Sequence, residues 1–127
     1  MTIKRLFVTL TSLMLFLTGC QAGGSSSQTI ENYLQAVVDG DWTRAVNLSC
    51  ASWEEDAQTE ANSFESVKAW LEGVSCSVEG EETDTQWVTC QGMIMATYGA
   101  EAQELPLNGR TYRLVLEGGE WRMCGYK

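Results

Sequence analysis

Apolar positions fall into three regimes along the 127-residue chain. An almost unbroken apolar run comes first, then helical stripes, then alternating or doubly apolar strand patterns. Ile30, Tyr33, Leu34, Val37 and Val38 recur at the spacing of one face of a helix. Ser27 or Thr29 is placed to cap its start, and Gly40 to end it in the left-handed region. Asp41 then caps a second helix carrying Trp42, Ala45, Val46, Ser49, Cys50 and Trp53 on one face. The stretch EEDAQTEA has no apolar stripe and reads as a solvated loop or frayed turn. Asn62-Ser63-Phe64-Glu65 has the form of a capping box opening a third helix. Its inward residues would be Phe64, Val67, Trp70 and Leu71, with Gly73 after the end.

From Val74 the pattern becomes that of strands. Val74 to Val78 and Trp87 onward flank the polar loop GEETDTQ. In Trp87–Tyr98, Val88, Cys90, Ile94 and Ala96 share one face, and Trp87, Thr89, Met93 and Met95 the other. Both faces are partly apolar, as expected of a central strand in a curved sheet, and Gly92 permits a bend or bulge. Tyr98 to Glu101 is a turn signal. Pro106 and Asn108-Gly109 interrupt the next strand, which resumes over Thr111–Glu117. Glu117-Gly118-Gly119-Glu120 marks a hairpin into Trp121–Tyr126. About three helices followed by about four strands make an α+β fold, helices on one face of an antiparallel sheet.

The opening run has a different character. Lys4 and Arg5 precede Leu6–Leu17, which is apolar apart from two Thr and a Ser. A spanning helix needs roughly 20 apolar residues, so the run is too short to cross a bilayer and reads as a secretory signal. Its end, Leu17-Thr18-Gly19-Cys20, resembles the bacterial lipobox: Leu, a small or polar residue, Gly or Ala, then Cys. That resemblance implies a signal peptide over 1–19, diacylglyceryl attachment to Cys20 and acylation of the new amino terminus. Two acyl chains anchor a protein stably where one binds only marginally. Residues 20–27, the acylated Cys with QAGGSSS after it, read as a flexible tether. Gln21 is not the Asp that usually retains such proteins in the inner membrane of two-membrane bacteria. The expected address is therefore extracytoplasmic, on the bacterial cell membrane or the outer membrane.

Charge narrows the partners. Cleavage before Cys20 removes Lys4 and Arg5 and leaves 6 basic against 17 acidic side chains, a net charge of −11. Such a surface repels nucleic acid and anionic headgroups, so membrane contact should run through the lipid alone. Four Cys remain besides Cys20, and an even number in an exported chain points to disulfides. Zinc is disfavoured: His is absent, no C-x-x-C occurs, and the four Cys are separated by 25, 13 and 33 residues. A hairpin about the polar loop sets Cys76 opposite Cys90, where facing Cβ atoms approach disulfide range. Cys50 and Cys124 then pair with each other.

ENYLQAVVDGDWTRAVNLSC, together with YRLVLEGGEWRMCGY near the end, resembles a small NTF2-like domain covering residues 28–127. The family's opening helix has the form Tyr-Leu-x-Ala-x-x-x-Gly-Asp-aromatic, filled here by Tyr33, Leu34, Ala36, Gly40, Asp41 and Trp42. Its exported members often carry a Cys late in the second helix and another after Gly-Gly-x-Trp, as Cys50 and Cys124 stand here. The resemblance implies a cone, a curved sheet wrapped around helices and often enclosing a pocket. Family functions range from isomerases and cyclases to binding and scaffold modules.

Three readings follow. Isomerase-type catalysis needs a pocket carboxylate with a polarising Tyr or His, and no residue is marked for that work, so no catalytic residue, metal or cofactor is expected. Tyr33, Trp53, Trp70, Met93, Met95 and Tyr112 are candidates to line an apolar pocket for a small ligand. A non-catalytic domain docking on another envelope protein requires no chemistry the sequence lacks and is the reading favoured from sequence alone.

Overall fold

A computed structural model describes residues 24–127. The expected signal peptide (1–19), the expected lipidation site Cys20 and residues 21–23 of the expected tether lie outside the described residues. Three helices, α1 (Ser26–Val38), α2 (Trp42–Asn47) and α3 (Glu54–Asn62), precede five strands. These are β1 (Lys68–Glu82), β2 (Thr85–Tyr98), β3 (Glu101–Pro106), β4 (Thr111–Glu117) and β5 (Glu120–Tyr126). The sheet is antiparallel throughout, in the order β1-β2-β4-β5, with β3 also on β2. One edge of β2 is shared, Thr85–Thr89 pairing β4 and Met93–Tyr98 pairing β3. The fold is α+β, with helices packed on one face of a curved open sheet.

Helix α1 forms where its stripe predicts. Its cap is Ser25, whose side chain accepts from Gln28 N, rather than Ser27 or Thr29. The helix therefore begins inside the stretch read as tether. Ile30, Tyr33, Leu34 and Val37 pack into the concave face against Val88, Ile94, Leu114 and Met123. At the corner Gly40 adopts φ +67°, and Asp41 accepts from Arg44 N to cap α2.

Helix α2 stops at Asn47, so Ser49, Cys50 and Trp53 are not on it. Leu48–Cys50 instead runs beside β5: Cys50 N donates to Met123 O, and Met123 N to Leu48 O, each at 2.8 Å. This covers an edge that would otherwise be open to pairing. Trp42, expected inward, is 45 % exposed because α2 is short and turns that position outward.

Two sequence expectations fail together. The acidic stretch is helix α3, and the capping-box tetrad is its exit, with Ser63 as C-cap donating its hydroxyl to Thr59 O. Only Ala57 and Ala61 of α3 are buried, four residues apart, a stripe too narrow and small to register as amphipathic. Lys68–Glu72, expected to be helical, pairs with Met93–Thr97 as the first part of β1. The sheet accordingly has five strands, not four, because Glu101–Pro106 pairs as β3 before Pro106 ends it.

Both expected disulfides form, Cys50–Cys124 and Cys76–Cys90, with Cα separations of 5.3 and 4.1 Å. Bulges bend the sheet at two glycines. Gly92 has φ +95°, and a Cβ there would sit 2.6 Å from the carbonyl oxygens of Glu72 and Gly73. Gly125 has φ +115° where the β4–β5 register shifts, between Leu114↔Met123 and Tyr112↔Tyr126.

Candidate functional site

The Gly125 bulge turns Tyr126 onto the concave face beside Tyr112, where unbroken alternation would have placed it outward. There Tyr126 joins the rim of a cavity of about 370 Å³ at the C-terminal end of α1. Leu34 and Val37 of α1, Phe64 after α3, Ile94 of β2 and Leu107 form its apolar body. Glu60, Ser63 and Arg110 supply polar groups, and Leu105 and Pro106 close one side. Leu107 is held inward by its N–H on Gly92 O at 3.1 Å, and a turn from Leu107 O to Arg110 N aims Arg110 back towards the cavity.

Two polar clusters face each other across this space. In the first, Trp53 Nε1 donates to the Tyr33 hydroxyl at 3.1 Å, and that hydroxyl donates to Glu60 Oε2 at 2.7 Å. Burial pushes the Tyr33 phenol far above its ordinary range, and the Glu60 charge and hydrogen bond push the same way. The Trp53 indole packs over Gly125, where a Cβ would meet the ring at 3.6 Å, an ordinary contact.

In the second cluster, the Arg110 guanidinium lies over the Tyr126 ring, 4.4 Å from its centroid. Tyr126 meets Tyr112 edge-on at 5.9 Å and Trp53 at 5.6 Å. Tyr112 is 1 % exposed, and among the described residues the polar group beside its hydroxyl is the Arg110 guanidinium. Burial raises its pKa and the nearby Arg110 charge opposes that rise. Tyr126 is also raised, first by burial and then by Glu60.

Of the residues expected to line a pocket, Tyr33 and Tyr112 stand behind the wall, bonded to Glu60 and packed on Tyr126 respectively. Trp53 reaches the same wall through its indole N–H. Trp70, Met93 and Met95 lie on the other face of β1 and β2, where Trp70 pairs Met95 and its indole donates to Glu72. A helix over 62–72 would have turned Trp70 inward; as a strand that stretch turns it out. Glu60, Arg110 and Tyr126 escaped the sequence reading. Glu60 sits in an acidic stretch with no apolar stripe to orient it, and Tyr126 points to the concave face only because of the bulge. The one available signal was Arg110-x-Tyr112, a cation and an aromatic two residues apart at the start of β4.

No protein-family model and no curated protein matches the sequence. Among solved structures, a dehydratase candidate of the NTF2-like family from Streptomyces avermitilis superposes with a TM-score of 0.51 and 16% identity. The match covers 78% of this chain and 88% of that one. The chain has an NTF2-like fold. At this identity the likeness speaks for the fold and carries no chemistry. The cavity lies at the C-terminal end of α1, and Gly24, where the described chain begins, lies at its opposite end. About ten residues of helix separate the two, on the order of 15 Å.

Proposed function

We propose that this protein is a lipid-anchored, extracytoplasmic NTF2-like domain that binds a small, largely apolar ligand in the cavity at the end of its cone. One observation carries the reading: a cavity of about 370 Å³ with an apolar body and a few convergent polar groups. Ligand sites have this size and composition. Anchoring is supported by the basic head, short apolar run and Leu17-Thr18-Gly19-Cys20, and an oxidising address by two disulfides joining all four remaining Cys. With the tether at one end of α1 and the cavity at the other, the mouth faces away from the anchored end.

The docking-module reading favoured by sequence keeps one support, the exposed strand β3 with Leu105 at its cavity end. The isomerase-like reading has its foothold in Glu60, a wall carboxylate with a tyrosine donor. Thermal-shift and fluorescence titration with a panel of apolar alcohols, acids and aromatics separates these. Binding that Ser63→Trp abolishes, by filling the mouth from an exposed position, supports the ligand site. Failure of every probe to bind, alongside a stably captured envelope protein, would return the reading to docking. Turnover of a bound compound that Glu60→Gln stops without loss of binding would make it an enzyme.

A further inference from the structure

The second polar cluster holds a cation with no anionic partner. Arg110 carries only N–H groups, and among the described residues it enters no ion pair; the one ion pair joins Arg122 to Glu120. The buried Tyr112 hydroxyl behind it, whose rise in pKa the guanidinium opposes, has an oxygen that can take one of those N–H groups. The rest of the guanidinium fork lines the cavity without a carboxylate, an arrangement that an incoming anionic acceptor would stabilise. Glu60 on the opposite wall is already engaged by Tyr33 and does not reach Arg110. The Tyr126 ring under Arg110 holds the guanidinium against the apolar body rather than out in solvent. Facing it are Leu34, Val37, Phe64 and Ile94, none of which offers a polar atom from its side chain.

Resting on the ligand-binding reading, we propose that the cavity's ligand is an amphipathic carboxylate. Its carboxylate takes hydrogen bonds from the Arg110 guanidinium, and its hydrocarbon or aromatic body fills the apolar space beyond. Charge-assisted, fork-shaped donation to both carboxylate oxygens is the interaction a guanidinium makes best. An amine would meet Arg110 as a like charge, and an alcohol would satisfy one donor and leave the others.

The test uses the full-length protein in detergent and three probes with the same chain: decanoate, decanol and decylamine. Decanoate should bind about 10-fold or more tightly than decanol, the charge-assisted increment expected for an arginine–carboxylate contact. Arg110→Met should remove that preference, and Arg110→Lys should retain part of it, with thermal melts verifying that each variant is folded. Decanol binding as tightly as decanoate, or decylamine tightest, overturns the carboxylate inference and leaves the ligand-binding reading standing. No binding by any probe overturns both.

Discussion

Trp53 and Tyr33 are joined by a hydrogen bond of 3.1 Å from indole N–H to phenol oxygen, and the phenol passes its own proton on to Glu60 at 2.7 Å. The chain ties the segment after α2, the middle of α1 and the last turn of α3 into one wall. Tyr33→Phe leaves the indole N–H and the carboxylate without their partner at once. It should cost about 1–3 kcal/mol in urea unfolding, and Trp53→Phe less, since it strips only one donor. Equal losses would mean that the indole, not the phenol, organises this wall.

Alkaline pH should weaken the fold through its tyrosines. Tyr33, Tyr112 and Tyr126 all titrate above the ordinary value of 10.0, burial being the first cause in each. The unfolded chain releases these protons near pH 10 while the folded protein retains them. Their contribution is therefore full below that pH and is lost progressively above it, as pH rises towards the raised values of the folded protein. Urea midpoints should hold level from neutral pH to about 9 and fall beyond about 10. Tyr33→Phe should make the fall shallower.

The two disulfides should differ in weight. Cys50–Cys124 closes a sequence separation of 74 and Cys76–Cys90 one of 14. In the chain-entropy model these correspond to about 4.5 and about 3 kcal/mol. The paired serine variant at 50 and 124 should lose more, and its Leu48–Cys50 segment should lose protection in hydrogen exchange, as it is the edge partner of β5.

The two bulge glycines offer a sharper contrast. Both have positive φ, but only at Gly92 would a Cβ strike backbone, 2.6 Å from two carbonyl oxygens; at Gly125 it meets the Trp53 ring at 3.6 Å, an ordinary contact. Gly125→Ala should cost about 1–2 kcal/mol from backbone strain alone. Gly92→Ala should cost about 3 kcal/mol or more, since β1 or β2 must move. Thermal melts of the two variants give the order directly.

Cys20→Ala should accumulate an unprocessed precursor that takes up no palmitate label. Labelling that persists in this variant would place the attachment elsewhere.

Much of the frame was legible locally. The α1 stripe, the Gly40-Asp41 corner, the Gly118-Gly119 hairpin and the inward set Val88, Cys90, Ile94 and Ala96 each depend on neighbours close in sequence, and each stands as the pattern predicts. The error over 54–72 has a different source. Phe64, Val67, Trp70 and Leu71 satisfy a helical spacing, yet they lie across the exit of α3 and the start of β1, because β2 supplies a pairing edge that no local signal shows. Helix α3 survives on two buried alanines that have value only against α1 and α2. The candidate site was the least legible part, since Glu60, Arg110 and Tyr126 lie up to 66 positions apart and meet only once the sheet has curved.

The sequence by itself determined an α+β chain, a hairpin register that pairs Cys76 with Cys90, and an amino-terminal motif whose cysteine stands apart from the four that pair. Tertiary structure decided which face each side chain serves. Side-chain direction in a strand reverses with every residue, so one bulge at Gly125 was enough to turn Tyr126 onto the concave face at the cavity rim, and exchanging helix for strand over Lys68–Glu72 was enough to put Trp70 on the opposite face.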